Sequence, residues 1–533
     1  MRNGYTVLLL IFGLFSGGSF SQKISLKEES LKTLRTLLDA QLSLQVTSVA
    51  DSNYGALRCP YDQVLHTRAA EAVYPLAVAY KHLHDPKDLA AAIRLADWLI
   101  RQQGEEGAWK ETPEEWTGTT TDQLLMMVLA YPILQDHFGY EIDMSLWGLE
   151  LYARLTGDTK MHQAVAQSLQ NHLYFVYPNG AIDGSWGIRS NKWTTYGSQT
   201  ADGCQILFSL FSGEDSRYRT AGWRNLQYLR TMIRDGLIGY GPQYWDLFTL
   251  PPCIYPTCMR SKNLALTIEF GDQQAGEIPP LPSDRPGWVR YFPTVDVALV
   301  RTKNSMATIS AYRYKELQKR SQSKYMHRPT GGSLSSLWIQ GHGFLQISSQ
   351  TEYHRWEPMH FPEMGKLLPL TPRIEFTNRN GYFTNLYEFD GRMTVEKNDP
   401  VRIAVAGELC DKDLLPGGVA YRWDHHFTDQ GVEKTVHLRY HHGAPLVQIV
   451  EPMVRWPNMT FEQQDSKTIA IKTAEKVFTL EILEGDVAIV LGENENRYVW
   501  PFPSLRAFPI TLKVMNPDGQ SRVKIRYRIR FPD

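Results

Sequence analysis

The sequence predicts a two-part α+β chain, an N-terminal incomplete α/α toroid followed by a C-terminal antiparallel β-sandwich. Three observations predict it. Apolar residues recur at helical spacing from about Leu31 to Thr231, a proline-marked break follows near Pro279, and alternating strand patterns then run to the C-terminus. At 533 residues the chain exceeds the ~250–300 at which one hydrophobic core stops growing, so two large domains are expected.

A leader comes first. Met1 and Arg2 precede an apolar run from Val7 to Phe15 and the small-residue end Ser19-Phe20-Ser21, the pattern of a secretory signal peptide over residues 1–21 with Gln22 as mature N-terminus. The run is shorter than the roughly 20 residues needed to cross a bilayer, and no cysteine follows it to take a lipid anchor. The expectation is a periplasmic or secreted protein without membrane insertion, with the toroid over 22–278 and the sandwich over 279–533. The 56 Lys and Arg residues nearly balance 57 Asp and Glu, leaving a formal charge of −1. That excludes a general role on nucleic acid or a membrane surface, because both need a broad basic field.

Helical spacing is clearest over Ala69 to Tyr80, Leu89 to Leu99, Leu124 to Leu134 and Gln205 to Leu210. Between these runs lie two similar connections. Gly107-Ala-Trp109 is followed seven residues later by Trp116, and Gly184-Ser-Trp186 seven residues later by Trp193. The first leads into a helix through Thr119-Thr-Thr-Asp122 and the second through Gln199-Thr-Ala-Asp202, with Thr and Asp where N-caps are favoured. A repeat of about 77 residues made of helices and aromatic loops suits stacked helical hairpins, which close into a ring with the loops at one rim.

Pro280, Pro282 and Pro286 mark the linker. Strand patterns then follow at Val295 to Arg301, Met306 to Tyr312, Ser335 to Ile339, Phe344 to Ser348, Thr435 to Tyr440 and Val523 to Phe531, with Gly341-His-Gly343 as a hairpin turn. No βαβ alternation and no Gly-rich phosphate loop appears. The five cysteines, Cys59, Cys204, Cys253, Cys258 and Cys410, are too few for a disulfide scaffold. Pro256 favours a turn that lets Cys253 and Cys258 bridge, although two buried thiols fit the same spacing. No cysteine has a zinc-ligand companion at the usual spacing, and neither a metal nor another cofactor is expected.

Chemistry-bearing residues gather in two places. Before the Gly341 turn lie His327 and Arg328, and after it Glu352, Tyr353, His354, Arg355 and Trp356, so a hairpin returns the second group towards the first. His can hold or take a proton near neutrality, Tyr can deliver one, and the Arg fork binds carboxylates, a mixture suited to proton abstraction beside a carboxylate. A strand start and aromatic packing over a sheet edge account for the same residues more plainly. In the helical half, Trp186, Arg189, Asn191, Lys192, Trp193 and Tyr196 offer flat faces for sugar rings and donors for hydroxyls or a uronic carboxylate, with Trp116 in the preceding copy. A rigid aromatic connector is the plain alternative. Asp122 and Asp202 read as helix caps, or as an acid and base pair. His66, Arg68 and Glu71 open an early helix that either lines the same rim or presents one amphipathic face. His425-His426 and His441-His442 alternate with strand residues, which is poor metal-ligand geometry.

Tyr325-Met-His327, Gly332-Ser-Leu-Ser-Ser-Leu-Trp338, the Gly341-His-Gly343 turn, Phe344-Leu-Gln-Ile-Ser-Ser349 and Tyr353 resemble the heparinase II/III-like polysaccharide lyases. The resemblance implies a toroid joined to a β-sandwich, a cleft that binds an acidic polysaccharide or oligosaccharide, and active-site roles for His327 and Tyr353. The family's Asn-Asn-His motif is absent; by position, Asn191 stands for the carboxylate-binding Asn and Tyr196 for the toroid Tyr that serves as acid or base. The implied reaction is β-elimination at a uronic acid. Asn191 with His327 or Arg328 neutralises the carboxylate, Tyr196 and His327 transfer protons, and Tyr353 and Arg355 position the sugar. Two other readings stay open: a glycoside hydrolase using Asp122 and Asp202, and a non-catalytic protein that holds glycan on its Trp-rich rim.

Overall fold

The computed structural model describes residues 23–104, 108–109, 125–126, 129–130, 146–183, 205–293, 295–311, 329–352, 365–397, 400–501 and 504–532. Its first half is helical: α1 (Leu26–Ser43), α2 (Val73–Leu83), α3 (Pro86–Arg101), α4 (Leu146–Thr156), α5 (Thr159–His172), α6 (Gln205–Phe211), α7 (Ser216–Arg230), α8 (Tyr244–Leu247) and α9 (Ile254–Phe270). Local chemistry starts several of these. Ser25, Asp85 and Asp215 each accept a first-turn backbone N–H with the side chain, at 3.3, 3.0 and 2.9 Å, and each such cap typically stabilises by ~1 kcal/mol. Pro86 sits in the first turn of α3, where its missing N–H is harmless, and Ala91, Ala92, Leu95, Trp98 and Leu99 then form the buried stripe.

The hub of this half is α9, buried from Ile254 to Ile268 and packed against α1, α2, α6 and a 3₁₀ helix at Thr67–Ala72. A helix with no exposed face must pair whatever polar groups it carries. Lys262 forms an ion pair with Glu71 at 2.5 Å, and Ser261 accepts from Gln41 at 2.6 Å. Helical spacing over Ala69 to Tyr80 is realised as that 3₁₀ helix running into α2. The turn expected at Pro256 does not form; Pro256 lies in the first turn of α9, a position that tolerates proline, and Cys59, Cys253, Cys258 and Cys410 are buried free thiols.

A five-stranded antiparallel sheet follows in sequential order: β1 (Trp288–Phe292), β2 (Val297–Arg301), β3 (Ser305–Ser310), β4 (Ser333–Ile339) and β5 (Gly343–Ile347). The inner strands β2, β3 and β4 are buried along their whole length, β2 as a largely apolar run and β3 and β4 with small Ser and Thr side chains among the apolar ones. Val297, Leu299, Met306, Trp338, Phe344 and Ile347 join the core of the helical half. Ala298, Val300, Ala307, Ile309, Leu337, Ile339 and Leu345 face the opposite core. The sheet is thus a middle layer. Its β4–β5 hairpin turns at Gly341 and Gly343, with φ of +68° and +94°.

The third layer is a fourteen-stranded antiparallel sheet running from Arg373–Asn378 to Arg522–Arg530, with Pro416–Thr428 between Val401–Cys410 and Gly431–Tyr440 near its centre. Period-two alternation is plain in Val477–Glu484 and Arg522–Arg530, where one face is buried and the other wet. His425 is buried and His426 half-buried on the alternate face, as strand geometry requires. His441 and His442 fall beyond the end of the strand at Tyr440, in a bend. Among the described residues no helix is long and apolar enough to cross a membrane.

Candidate active site

Twelve residues named from sequence, Trp116, Trp186, Arg189, Asn191, Lys192, Trp193, Tyr196, His327, Arg328, Tyr353, His354 and Arg355, lie outside the described residues, as do Asp122 and Asp202. What the structure fixes is where the chain enters and leaves those segments.

Two of these points are tied to neighbouring residues. Thr330 Oγ1 donates to the carbonyl of Glu388 at 3.2 Å, and Tyr387 Oη donates to Glu352 Oε1 at 2.6 Å. Tyr387 ends a 3₁₀ turn over Asn385–Tyr387, so a single turn holds the chain just after Arg328 and just before Tyr353. The β4–β5 pairing agrees, because Ser336 opposes Ile347 and both strand ends lie at one edge of the sheet.

The entry to β4 is built for close approach. Gly331 and Gly332 have φ of +62° and +83°, a region that glycine enters without a Cβ penalty. A Cβ on Gly331 would collide with the Asn385 carbonyl oxygen, and one on Gly332 would stand 2.7 Å from Val405 Cβ. Asn385 Nδ2 donates to the Gly331 carbonyl and to Ser333 Oγ, both at 3.1 Å, while its Oδ1 accepts from the Ile374 N–H at 2.8 Å. Tyr421 Oη donates to the Gly331 carbonyl at 2.8 Å, and His425 Nε2 lies 2.9 Å from the Gly332 carbonyl. Burial, with Lys434 nearby, pushes the His425 imidazole down to about 3, so this ring stays neutral and is a fixed donor. Past β5, Ser349 accepts the Leu370 N–H at 2.9 Å and donates its own N–H to Thr371 Oγ1 at 3.2 Å, fixing the exit.

The helical half reaches the same sheet through Tyr177. Its hydroxyl lies 3.1 Å from Thr308 Oγ1, contacts Ser336 Oγ, and donates to Asp183 Oδ2 at 3.4 Å. Burial first, and then the Asp183 charge, hold this phenol well above its ordinary range, so it remains protonated. Asp183 immediately precedes the segment carrying Trp186 to Tyr196. Beneath the turn, Arg373 and Glu375 pair at 2.5 Å within reach of Tyr498, and Gln448 donates to Glu375 at 2.7 Å. Burial works against the Glu375 charge, but Arg373 and these hydrogen bonds hold its carboxyl below the usual range.

His66, Arg68 and Glu71 do not line a rim. All three are buried, with Arg68 stacked 3.8 Å from the Tyr255 ring centroid and Glu71 paired with Lys262. Sequence reading missed Tyr177, Asn385 and Tyr387. Single Tyr and Asn residues in apolar surroundings carry no spacing signal.

The same layered architecture recurs in solved structures. The crystal structure of heparinase III aligns with 97% of this chain and 88% of its own at a TM-score of 0.50, with 9% sequence identity. The ulvan lyase N-terminal domain model matches residues 34–138 and 135–280, and the ulvan lyase C-terminal domain model matches residues 289–528. The chain belongs to the ulvan lyase family of polysaccharide lyases, on a fold it shares with heparinase III. A Formosa agariphila protein named broad-specificity ulvan lyase is 24% identical to this lyase over 491 residues, covering 73% of this chain and 76% of the relative. The Streptomyces coelicolor A3 chondroitin AC lyase in complex with chondroitin sulphate aligns with 95% of the lyase and 79% of its own chain, at 13% identity and a TM-score of 0.42. The segments around Tyr196, His327 and Tyr353 all fall inside the ranges that the domain models match.

Proposed function

We propose that this lyase cleaves a uronic-acid-containing polysaccharide of the ulvan type by β-elimination, with the catalytic groups drawn from the 184–197, 325–328 and 353–355 segments. The observation that supports this most is the convergence of their anchor points: Thr330 and Glu352 are tied to the adjacent residues Glu388 and Tyr387, and Tyr177 beside Asp183 is tied to Ser336 on the same hairpin. The ulvan lyase relative supports the substrate class.

In this reading Asn191 with His327 or Arg328 neutralises the C6 carboxylate, which acidifies the C5 proton and stabilises the enolate-like intermediate. A base, Tyr196 or His327, removes that proton. Its electron pair forms the C4=C5 double bond as the C4–O4 bond breaks, and an acid returns a proton to O4. No water is consumed. Tyr353, His354 and Arg355 position the sugar, with Trp116, Trp186, Trp193, Arg189 and Lys192 along the cleft. The hydrolytic reading through Asp122 and Asp202 has no observation in its favour. Export through the Val7–Phe15 leader brings the enzyme to its polymer, and N-terminal sequencing of the mature protein, expected to begin at Gln22, checks it.

The deciding experiment follows the ultraviolet absorbance of 4,5-unsaturated uronate while the protein is incubated with ulvan and other uronate polymers. Absorbance rises with ulvan, and the rise is lost in His327→Ala and Tyr196→Phe proteins that keep the parent melting temperature. New reducing ends without absorbance would overturn the reading.

A further inference from the structure

Three metal-ligating side chains that the lyase reaction does not use meet inside the helical half. Cys59 lies in the loop ahead of the 3₁₀ helix, His66 is the N-cap of that helix, and Cys253 is the N-cap of α9. All three are buried, and one donor atom from each lies within 4.8 Å of the other two. Zinc with metal–sulfur bonds of about 2.3 Å and metal–nitrogen bonds of about 2.0 Å sets tetrahedral donors roughly 3.5–3.8 Å apart, a spacing that this cluster reaches with small shifts.

We propose that Cys59, His66 and Cys253 hold one soft divalent cation of the zinc class through two thiolates and an imidazole, with water in the fourth position. The charges favour it: two thiolates cancel a dication, so the buried site is neutral overall, whereas an unpaired buried charge is costly. The surroundings are those of a ligand shell. The Cys59 sulfur faces the backbone N–H groups of Asp62 and Ile254. The Cys59 backbone closes its own loop, with its N–H donating to the Val64 carbonyl at 2.9 Å and its carbonyl accepting from Gln63 at 3.0 Å. Asp62 Oδ2 lies 3.2 Å from His66 Nε2, placing a carboxylate beside the imidazole. Cys253 is the N-cap of the 17-residue α9, so the site lies at the start of that helix.

The ion fastens the loop and the 3₁₀ helix to the start of α9, the two elements that Arg68–Tyr255 and Glu71–Lys262 already join. Its role is structural. Nothing in the spacing betrays it, since Cys59 and Cys253 are brought together only by the packing of α9.

The test uses the full chain purified under reducing conditions, stripped with a chelator and titrated with cobalt(II). The expected result is one tightly bound cobalt per chain with tetrahedral d–d bands and a thiolate-to-cobalt charge-transfer band, displaced by zinc and accompanied by a rise in melting temperature. Cys59→Ser and Cys253→Ser each remove the charge-transfer band or at least halve it, and Cys410→Ser leaves it intact. Should the serine variants fail to fold, the wild-type titration decides alone. Absence of the tetrahedral spectrum in the reduced wild-type chain overturns the proposal, as does a Cys59–Cys253 disulfide found by peptide mass spectrometry in protein isolated without reductant.

Discussion

The two faces of the five-stranded sheet are fastened by different chemistry. On the sandwich face the sheet meets a buried ion pair of the outer sheet through Gln346, and rigid donors hold the start of β4. Lys434 Nζ bonds both Glu451 oxygens at 2.8 Å with both side chains fully buried, Gln346 and Tyr527 each donate to the same carboxylate at 2.6 Å, and His425 and Tyr421 hold the two glycines that open β4. On the helical face the corresponding junction is a set of hydroxyls, Tyr177 with Thr308 and Ser336, beside Asp183. Removing one member of a buried ion pair strands the other, whereas neutral hydroxyls re-pair at little loss. The polar contacts of the sandwich side are therefore the costlier to break, while the helical half, which shares Val297, Leu299, Met306, Trp338, Phe344 and Ile347 with the sheet as core, meets it in polar terms through hydroxyls whose loss affects the site before it affects the fold.

The sharpest way to break this comparison is Lys434→Met. Glu451 is left buried without its cation, and a loss of about 3–5 kcal/mol in urea unfolding is expected. The double variant Lys434→Met/Glu451→Leu recovers most of that loss. A single variant that unfolds like the parent would show that the ion pair does not fasten this face. Next is Gly331→Ala, which forces a Cβ into a left-handed conformation against the Asn385 carbonyl and is expected to destabilise by about 3 kcal/mol. Because this glycine leads directly to Arg328 and His327, activity falls even at temperatures where the variant is fully folded.

The contrast between faces also explains what the sequence revealed. Strand periodicity exposed the hairpin because β4 and β5 flank the Gly341-His-Gly343 turn signal, and helical stripes such as Leu95, Trp98 and Leu99 exposed the first half. The middle layer was not separable from the outer sheet, since a strand pattern marks a strand but not which sheet it joins. The anchors Tyr177, Asn385 and Tyr387 were invisible for another reason: their partners Ser336, Gly331 and Glu352 are distant in sequence, and only the folded register brings them together. His66 and Cys253 show the same effect in the helical half, where a plausible rim residue proved to be interior.

A pH titration sharpens the comparison from the sandwich side. His425 has a folded value of about 3 against an ordinary 6.5, so the folded state keeps it neutral while the unfolded chain takes up a proton below 6.5. Its contribution to stability is present above pH 6.5 and is lost as pH falls towards 3, amounting to about 2 kcal/mol by pH 5. His342, lowered to about 4 by burial and Lys476, acts in the same direction. Urea unfolding at pH 7 and pH 5 should show the drop, and His425→Gln should reduce it. An unchanged slope in that variant would mean that another group governs the acid sensitivity.

The smallest expected change in stability, at Tyr177→Phe, is the most informative about the helical face. The substitution keeps the ring packed 5.0 Å from Phe344 and removes only the hydroxyl, and Thr308 and Ser336 lie close enough across the β3–β4 pairing to satisfy each other. A loss of about 1–2 kcal/mol is expected, because the buried Asp183 carboxylate also gives up a long hydrogen bond. Activity should fall further than stability does, because the same hydroxyl contacts Asp183, the residue from which the Trp186 to Tyr196 segment departs. A lowered kcat/KM on ulvan at an almost unchanged melting temperature supports docking of the helical half as a determinant of the site. Equal losses in both would make Tyr177 a packing residue alone, and the two faces would differ in strength of attachment but not in function.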